Sequence, residues 1–269
     1  MCYTGAALRI SPEAHATMTL QRYPLTIDGD SWEVGTAGEF AIALDVLQGH
    51  HDRAVLEQLA PHLADIIATP GGLMTILRAL APSDRLYLIE ALGPRLVDCL
   101  HGAGALRDIL AMTAELEVEQ RLLETLGPTG LRRLIQTAGE LAEVLEWVYG
   151  DCDRLVLDLL GAAWVRRLLS NGSDLSVVLH SLSPAQQEGL LDELGWDDVA
   201  ALVVGRQDLA LLLRALPSRL SRCLLDHVPG PRLAALVGGQ RDWEYLCARL
   251  ETDEIADLVR RVKELHHAE

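Results

Sequence analysis

Lysine, phenylalanine and paired cysteines are nearly absent from this chain, and each scarcity removes a class of protein. The 269 residues hold one Phe, and aromatic side chains make up 4% of them. A β-sandwich core built on aromatic and β-branched strand pairs is therefore excluded; Leu, Val, Ile and Ala must do the packing, which suits short helices. Lys263 is the only lysine beside 22 arginines, a bias expected of a GC-rich genome or of a protein that avoids lysine modification. No run reaches the ~18 consecutive apolar residues of a membrane span. The opening MCYTGAALRI has neither the basic start nor the apolar stretch of an export signal, so a soluble chain is expected. Basic charge is also short: the net formal charge is −16. Nucleic-acid binding needs Lys and Arg to displace counterions from phosphate, so that class is disfavoured.

The five cysteines (Cys2, Cys99, Cys152, Cys223 and Cys247) form no CxxC pair. They read as reduced thiols in a cytoplasmic, reducing compartment, with Cys247 in a core column. His50-His51-Asp52 and His266-His267 lack a third spaced ligand and read as solvated histidines. Asp28-Gly29-Asp30 lacks the rest of a calcium loop and reads as a cap or turn. Cys2 behind the initiator Met has the placement of an N-terminal nucleophile, but those amidohydrolases need a β-rich layered core. No nucleophile elbow or dyad is present. No catalytic, cofactor-binding or metal residues are assigned.

What the chain has in abundance is periodicity. The dipeptides Leu92-Gly93, Leu126-Gly127, Leu160-Gly161 and Leu194-Gly195 set a step of 34 residues. Apolar residues opening each unit fall at Leu25, Leu59, Leu92, Leu126, Leu160, Leu194 and Val228. A second column runs Phe40, Leu73, Leu106, Leu141, Leu175, Leu209 and Trp243; a third runs Leu44, Leu77, Leu110, Leu145, Leu179, Leu213 and Cys247. A late apolar pair recurs from Val55-Leu56 to Leu258-Val259. Within a unit the spacing is helical. The expected fold is all-α: an α-solenoid of about seven 34-residue repeats, each of two to three short helices. Residues 1–24 form an N-terminal arm, 25–262 the array and 263–269 a tail; Met18 is an alternative start.

Punctuation supports the helices. Asn171-Gly172 breaks the chain, Asp174 is expected to cap the second helix, and Ser183-Pro184 with Gln186 forms a capping box for the third. Glu39, Glu140, Asp208 and Asp242 are the equivalent acidic caps; Ser83, Ser218 and Thr252 are the equivalent third-helix caps. The first unit replaces its first helix with the glycine-rich TIDGDSWEVGTAG.

Two polar features are candidate protein-binding surfaces. One is an acidic column on the third helices: Glu57, Glu90, Glu124, Asp158, Asp192 and Asp226, with Arg260 in the last unit. Acids there oppose the helix dipole, so each either pairs with an Arg one turn earlier (Arg53–Glu57, Arg154–Asp158, Arg222–Asp226) or anchors the next unit. Otherwise the column is a ridge for a partner with a basic surface. The other feature is Arg132-Arg133 with Arg166-Arg167, where later units carry Ala200-Ala201 and Ala234-Ala235; pairing with the acidic column is its structural explanation.

The stretch from Leu126 to Gly195, with its LG…DL-x-x-VL…LL-x-x-LG pattern, resembles tandem short-helix repeat proteins found among secreted effectors of intracellular bacteria. That resemblance covers residues 25–262 and implies an α-solenoid that engages host or bacterial proteins after translocation; it transfers no catalytic residues. LLSNGSDLSVVL also resembles the DNA-reading repeats of transcription-activator-like effectors, though turns at Thr137-Ala138, Gly205-Arg206 and Gly239-Gln240 depart from that code. The expected function is a non-enzymatic protein-interaction scaffold. The alternatives are a nucleic-acid-binding repeat protein and an enzyme whose site forms between repeats.

Overall fold

The computed structural model describes residues 21–27, 29–47, 51–113 and 115–268. Cys2, Met18, Asp28 and His50 lie outside the described residues, as do the side chains of Asp30, His266 and His267. Among the described residues helix accounts for 78% and strand for 4%, so the all-α expectation holds. Beside the helices stands one short hairpin: β1 (Tyr23–Ile27) and β2 (Asp30–Val34) pair antiparallel, with Leu25 opposite Trp32. The glycine-rich stretch that replaces a first helix alternates apolar and polar residues, and Gly29 supplies the positive φ of 91° at the turn. One face of the hairpin is buried through Tyr23, Leu25 and Ile27, and Tyr23 stacks on His62 at 4.1 Å.

Helices follow in the order α1 (Ala37–Leu47), α2 (Asp52–Leu59), α3 (Leu63–Ile67), α4 (Pro70–Ala79), α5 (Pro82–Leu92), α6 (Leu96–Cys99) and α7 (Ala103–Thr113). Next come α8 (Leu116–Leu134), α9 (Ala138–Trp147), α10 (Cys152–Leu160), α11 (Ala162–Leu168), α12 (Gly172–His180) and α13 (Pro184–Leu194). The last six are α14 (Trp196–Ala201), α15 (Arg206–Ala215), α16 (Ser218–His227), α17 (Gly230–Val237), α18 (Gln240–Cys247) and α19 (Thr252–Ala268). Helix α8 is broken at Gly127, where φ is 57°. The same positive φ recurs at Gly93, Gly161 and Gly195. These glycines end helices in a conformation that a side chain would strain, which is why each follows the last leucine of a helix.

Helices of two or three turns are unstable alone, and each here leans on another from a distant part of the chain. One row runs α1 on α4, α4 on α7, α7 on α9, α9 on α12, α12 on α15 and α15 on α18. Beside it α2 packs on α5, α5 on α8 and α8 on α10, with α16 on α19 at the far end. The core lies between the rows. Leu73, Leu106, Leu141, Leu175 and Leu209 are fully buried, as are Leu77, Leu110, Leu179 and Leu213. At the last position of each column the expectation fails. Cys247 is exposed and Trp243 only half-buried, because among the described residues no further helix extends this row beyond α18; Leu246 is the buried residue there instead.

The caps also differ from expectation. The side chain of Asn171, not Asp174, caps α12 by accepting the Asp174 N–H at 3.0 Å, and Asp174 accepts the Ser170 N–H at 2.8 Å. Glu140 and Glu39 play the same third-position role behind Thr137 and Thr36. A side chain three residues inside the helix can reach back to the free N–H groups that precede it. Asp208 goes further: one oxygen takes the Gly205 N–H at 2.9 Å and the other the Ser173 N–H at 3.1 Å, tying α15 to α12. Ser83 and Ser218 lie inside their helices, which are preceded by Ala81 and Pro217. Ser183 is placed as expected, its N–H donating to Gln186 at 2.8 Å.

Candidate functional site: the exposed face of one helix row

In the row from α1 to α18, the positions two residues before and one residue after the third column stay at the surface. The first set is Ile42, Thr75, Asp108, Glu143, Val177, Leu211 and Tyr245; the second is Asp45, Arg78, Ala111, Glu146, His180, Arg214 and Ala248. A helix with 3.6 residues per turn carries both sets on the side opposite its buried leucines. Unlike the buried columns, these change chemistry from helix to helix.

Two clefts open on this face. One, of about 600 Å³, spans α9, α12 and α15 and is lined by Glu143, Glu146, Ser173, Val177, His180 and Leu211. The other, of about 420 Å³, lies between α15 and α18 and is lined by Gln207, Leu211, Arg214, Tyr245 and Arg249. Leu211 lines both, so the two clefts adjoin there, and together they make up one groove. Its middle is apolar, with Val177 47% exposed. The groove wall is fixed by local bonds: Ser176 Oγ donates to the Leu211 carbonyl at 3.4 Å, and His180 Nδ1 lies 2.6 Å from the Ser176 carbonyl, which places its proton there.

Charge along the groove is polarised. At the α9 end Glu143 meets Arg107 at 3.4 Å, while Arg107 is also held by Asp108 at 2.8 Å. Among the described residues Glu146 makes no ion pair. At the α18 end Arg249 lies over the Tyr245 ring at 3.8 Å, and Arg206 lies over the same ring at 4.7 Å while pairing with Asp242.

The residues expected from sequence lie elsewhere. Arg132 donates to the Leu160 carbonyl at 2.6 Å, neutralising the end of α10, and sits 5.7 Å from the Trp164 ring. Arg133 pairs with Asp98 at 2.8 Å, not with the acidic column. Arg166 donates to the Leu169 carbonyl at 3.1 Å, and Arg167 stacks on Trp164 at 4.8 Å. The four are spread over separate duties.

The acidic column is compensated nearly throughout. Arg53–Glu57 and Arg154–Asp158 pair as expected, at 3.0 and 3.7 Å. Glu90 and Glu124 share Arg121, and Asp192 accepts from Trp196 Nε1 at 3.1 Å. Arg222–Asp226 does not form. Arg222 turns to Asp257 at 2.8 Å, a carboxylate only 9% exposed, and Asp226 meets Arg260 and Arg261 at 3.9 and 3.7 Å. A better-desolvated partner wins because the attraction between charges grows as water is excluded.

Asp158 also borders a cleft of about 350 Å³ between α10 and α13, with Asp151, Arg154, Gln186 and Glu193. Cys99 and Cys152 are in the core and line none of these clefts, and burial pushes both thiols up to about 11. His51 is half-buried and stands before the buried Asp52 at the start of α2, so it is not a freely solvated residue. Among the described residues no group of His, Cys, Asp and Glu has the arrangement of a metal site, and no helix is long and apolar enough to cross a membrane.

No protein-family model matches the chain, and neither the curated proteins nor the solved structures contain a match.

Proposed function

We propose that the chain is an α-solenoid of about seven 34-residue repeats that binds a protein partner along the α1-to-α18 face. The observation carrying this reading is the groove shared by α9, α12, α15 and α18. In α9, α12 and α15 the two buried columns are uniform leucines, whereas the exposed positions differ from one helix to the next. Stacked repeats build extended surfaces of this kind, in which the scaffold stays constant and the contact residues vary. The series packing of that helix row supports the solenoid. The resemblance of Leu126 to Gly195 to secreted bacterial repeat proteins points to a host or bacterial protein as the partner.

Affinity capture from bacterial and eukaryotic lysates, read by mass spectrometry, tests the reading with two variants of matched stability. One carries Val177→Glu and Leu211→Glu in the groove. The other carries Arg133→Glu and Arg167→Glu on the first-helix face. A protein held by wild type and the second variant, but lost by the first, supports groove binding. Loss with the second variant alone moves the site to the arginine face, and equal retention by all three discards both surfaces.

A further inference from the structure

We infer that the groove reads a peptide by charge order: an acidic side chain between Arg214 and Arg249, apolar residues over Leu211 and Val177, and a basic side chain at Glu143 and Glu146. This rests on the groove reading above and names the chemistry of its occupant.

The argument begins with the arginines. In a chain of net charge −16, most guanidinium groups find an acid. Among the described residues Arg214 and Arg249 pair with none, yet they line the same cleft. Their helix positions explain part of this. Arg214 is in the last turn of α15, and Arg249 follows α18 and donates to the Tyr245 carbonyl at 3.4 Å; cations are favoured at such ends. That accounts for the presence of each charge, but not for the donors left over. A guanidinium has five N–H donors. Arg249 spends one of them on a long bond, and Arg214 spends none among the described residues.

Tyr245 shapes the site further. With the Arg249 guanidinium stacked 3.8 Å above its ring, the face of the cation is covered and its N–H edge is left to bond. A planar carboxylate fits that edge, through paired N–H donors. Gln207, on the same cleft, adds an amide N–H₂.

The opposite end of the groove has the opposite deficit. Arg107 is paired with both Asp108 and Glu143, and Glu146, which makes no ion pair among the described residues, has its charge felt by that same arginine, so three acids there draw on one cation. Helix α9 lies two steps from α15 and three from α18 in the row, and packed helices lie 8–10 Å apart, which gives ~20 Å or slightly more between Glu143 and a group held between Arg214 and Arg249. An extended peptide rises about 3.3 Å per residue, so its acid and base would be roughly six positions apart. Aligned the other way, the same peptide would place like charges together at both ends. Charge order therefore selects both sequence and direction.

The test is selection from a displayed library of random peptides of about twelve residues, twice the expected spacing, on the intact chain. The variants Arg214→Glu with Arg249→Glu, and the milder Arg214→Gln with Arg249→Gln, serve as comparisons. The expected result is enrichment of peptides with an acid and a base flanking apolar residues. Their affinity should fall roughly tenfold or more on the glutamate variant, and return when the peptide acid is changed to Lys. Peptides that need Val177 and Leu211 but show no charge order, or that bind the variants as tightly as wild type, overturn this inference and leave the groove reading standing. Failure to retain any groove-dependent peptide overturns both.

Discussion

One carboxylate oxygen of Glu119 accepts the backbone N–H of Tyr149 at 2.7 Å, while the other is buried without a partner. In three other units the same position carries a donor. Arg85 bonds the carbonyls of Leu77 and Leu80, Gln187 those of Leu179 and Leu182, and Ser221 those of Leu213 and Leu216. Each satisfies the free carbonyls that end the preceding helix of the row. An ionised Glu119 cannot donate, and burial pushes its carboxyl above the usual range despite the bond from Tyr149.

A raised folded-state pKa stabilises the fold fully below the unfolded value, and that contribution is lost as pH rises through the folded value. Glu119→Gln removes the ionisation and supplies N–H donors, as Gln187 does. It should raise stability at pH 7 by about 1–3 kcal/mol, the cost of an unpartnered buried group, and bring no gain near pH 3. Urea titrations of both proteins across that range measure this. An equal gain at every pH would separate the effect from ionisation.

Much of this fold is legible from leucines, because a buried column has to repeat its chemistry wherever the same neighbour covers it. Leu73 to Leu209 do so, and the failures at Trp243 and Cys247 come at α18, where the row ends among the described residues. The hairpin was hidden because Tyr23–Val34 mixes turn and strand residues, and only its pairing separates Leu25 from a helix opening. The groove escaped notice for the opposite reason: Glu143, Val177, Leu211 and Tyr245 share a phase but no chemistry. Their signal is variation at a fixed distance from constant leucines. Arg85, Gln187 and Ser221 were masked likewise, since only geometry reveals three different side chains doing the same work on a carbonyl pair.

Gly172 stands where α12 meets α15. A Cβ there would lie 2.6 Å from Asp208 Cβ and 3.2 Å from Asp208 Cα. Asp208 cannot retreat easily, because it bonds the backbone of both helix starts. Gly172→Ala should therefore destabilise the chain by about 1–3 kcal/mol through overpacking. Gly189, inside α13, has nothing within 4 Å of its Cβ position, and Gly189→Ala should stabilise by roughly 0.5–1 kcal/mol. Paired denaturation curves check the opposite signs.

Asp257 depends on Arg222, and the pair joins α16 to α19. Arg222→Ala leaves a nearly buried carboxylate with only Arg260, at 4.0 Å. Because Arg222 itself is 58% exposed, the loss should be about 1–2 kcal/mol, below that of a fully buried pair. Arg154→Ala, which breaks an exposed pair at 3.7 Å, should cost about 0–0.5 kcal/mol. Hydrogen exchange adds a local readout: α19 should lose protection first in Arg222→Ala, since stacked helices depend on their immediate neighbours.

The cysteines report on opening of the stack. Reaction with an alkylating agent requires both access and thiolate. Cys247 is exposed and Cys223 half-buried, so both should label in the native protein, Cys247 faster. Cys99 and Cys152 are buried, with thiols pushed up to about 11; desolvation is the largest cause for both, and at Cys152 the Glu119 charge adds to it. They should label at neutral pH only as fast as their helices open. Alkylation followed by peptide mass spectrometry, repeated through a urea series, separates the sites. If α8 and α10 open together, as their packing requires, Glu119→Gln should slow the labelling of Cys152 more than that of Cys99. Equal slowing at both would mean that the stack opens as a whole and that Glu119 acts on global stability.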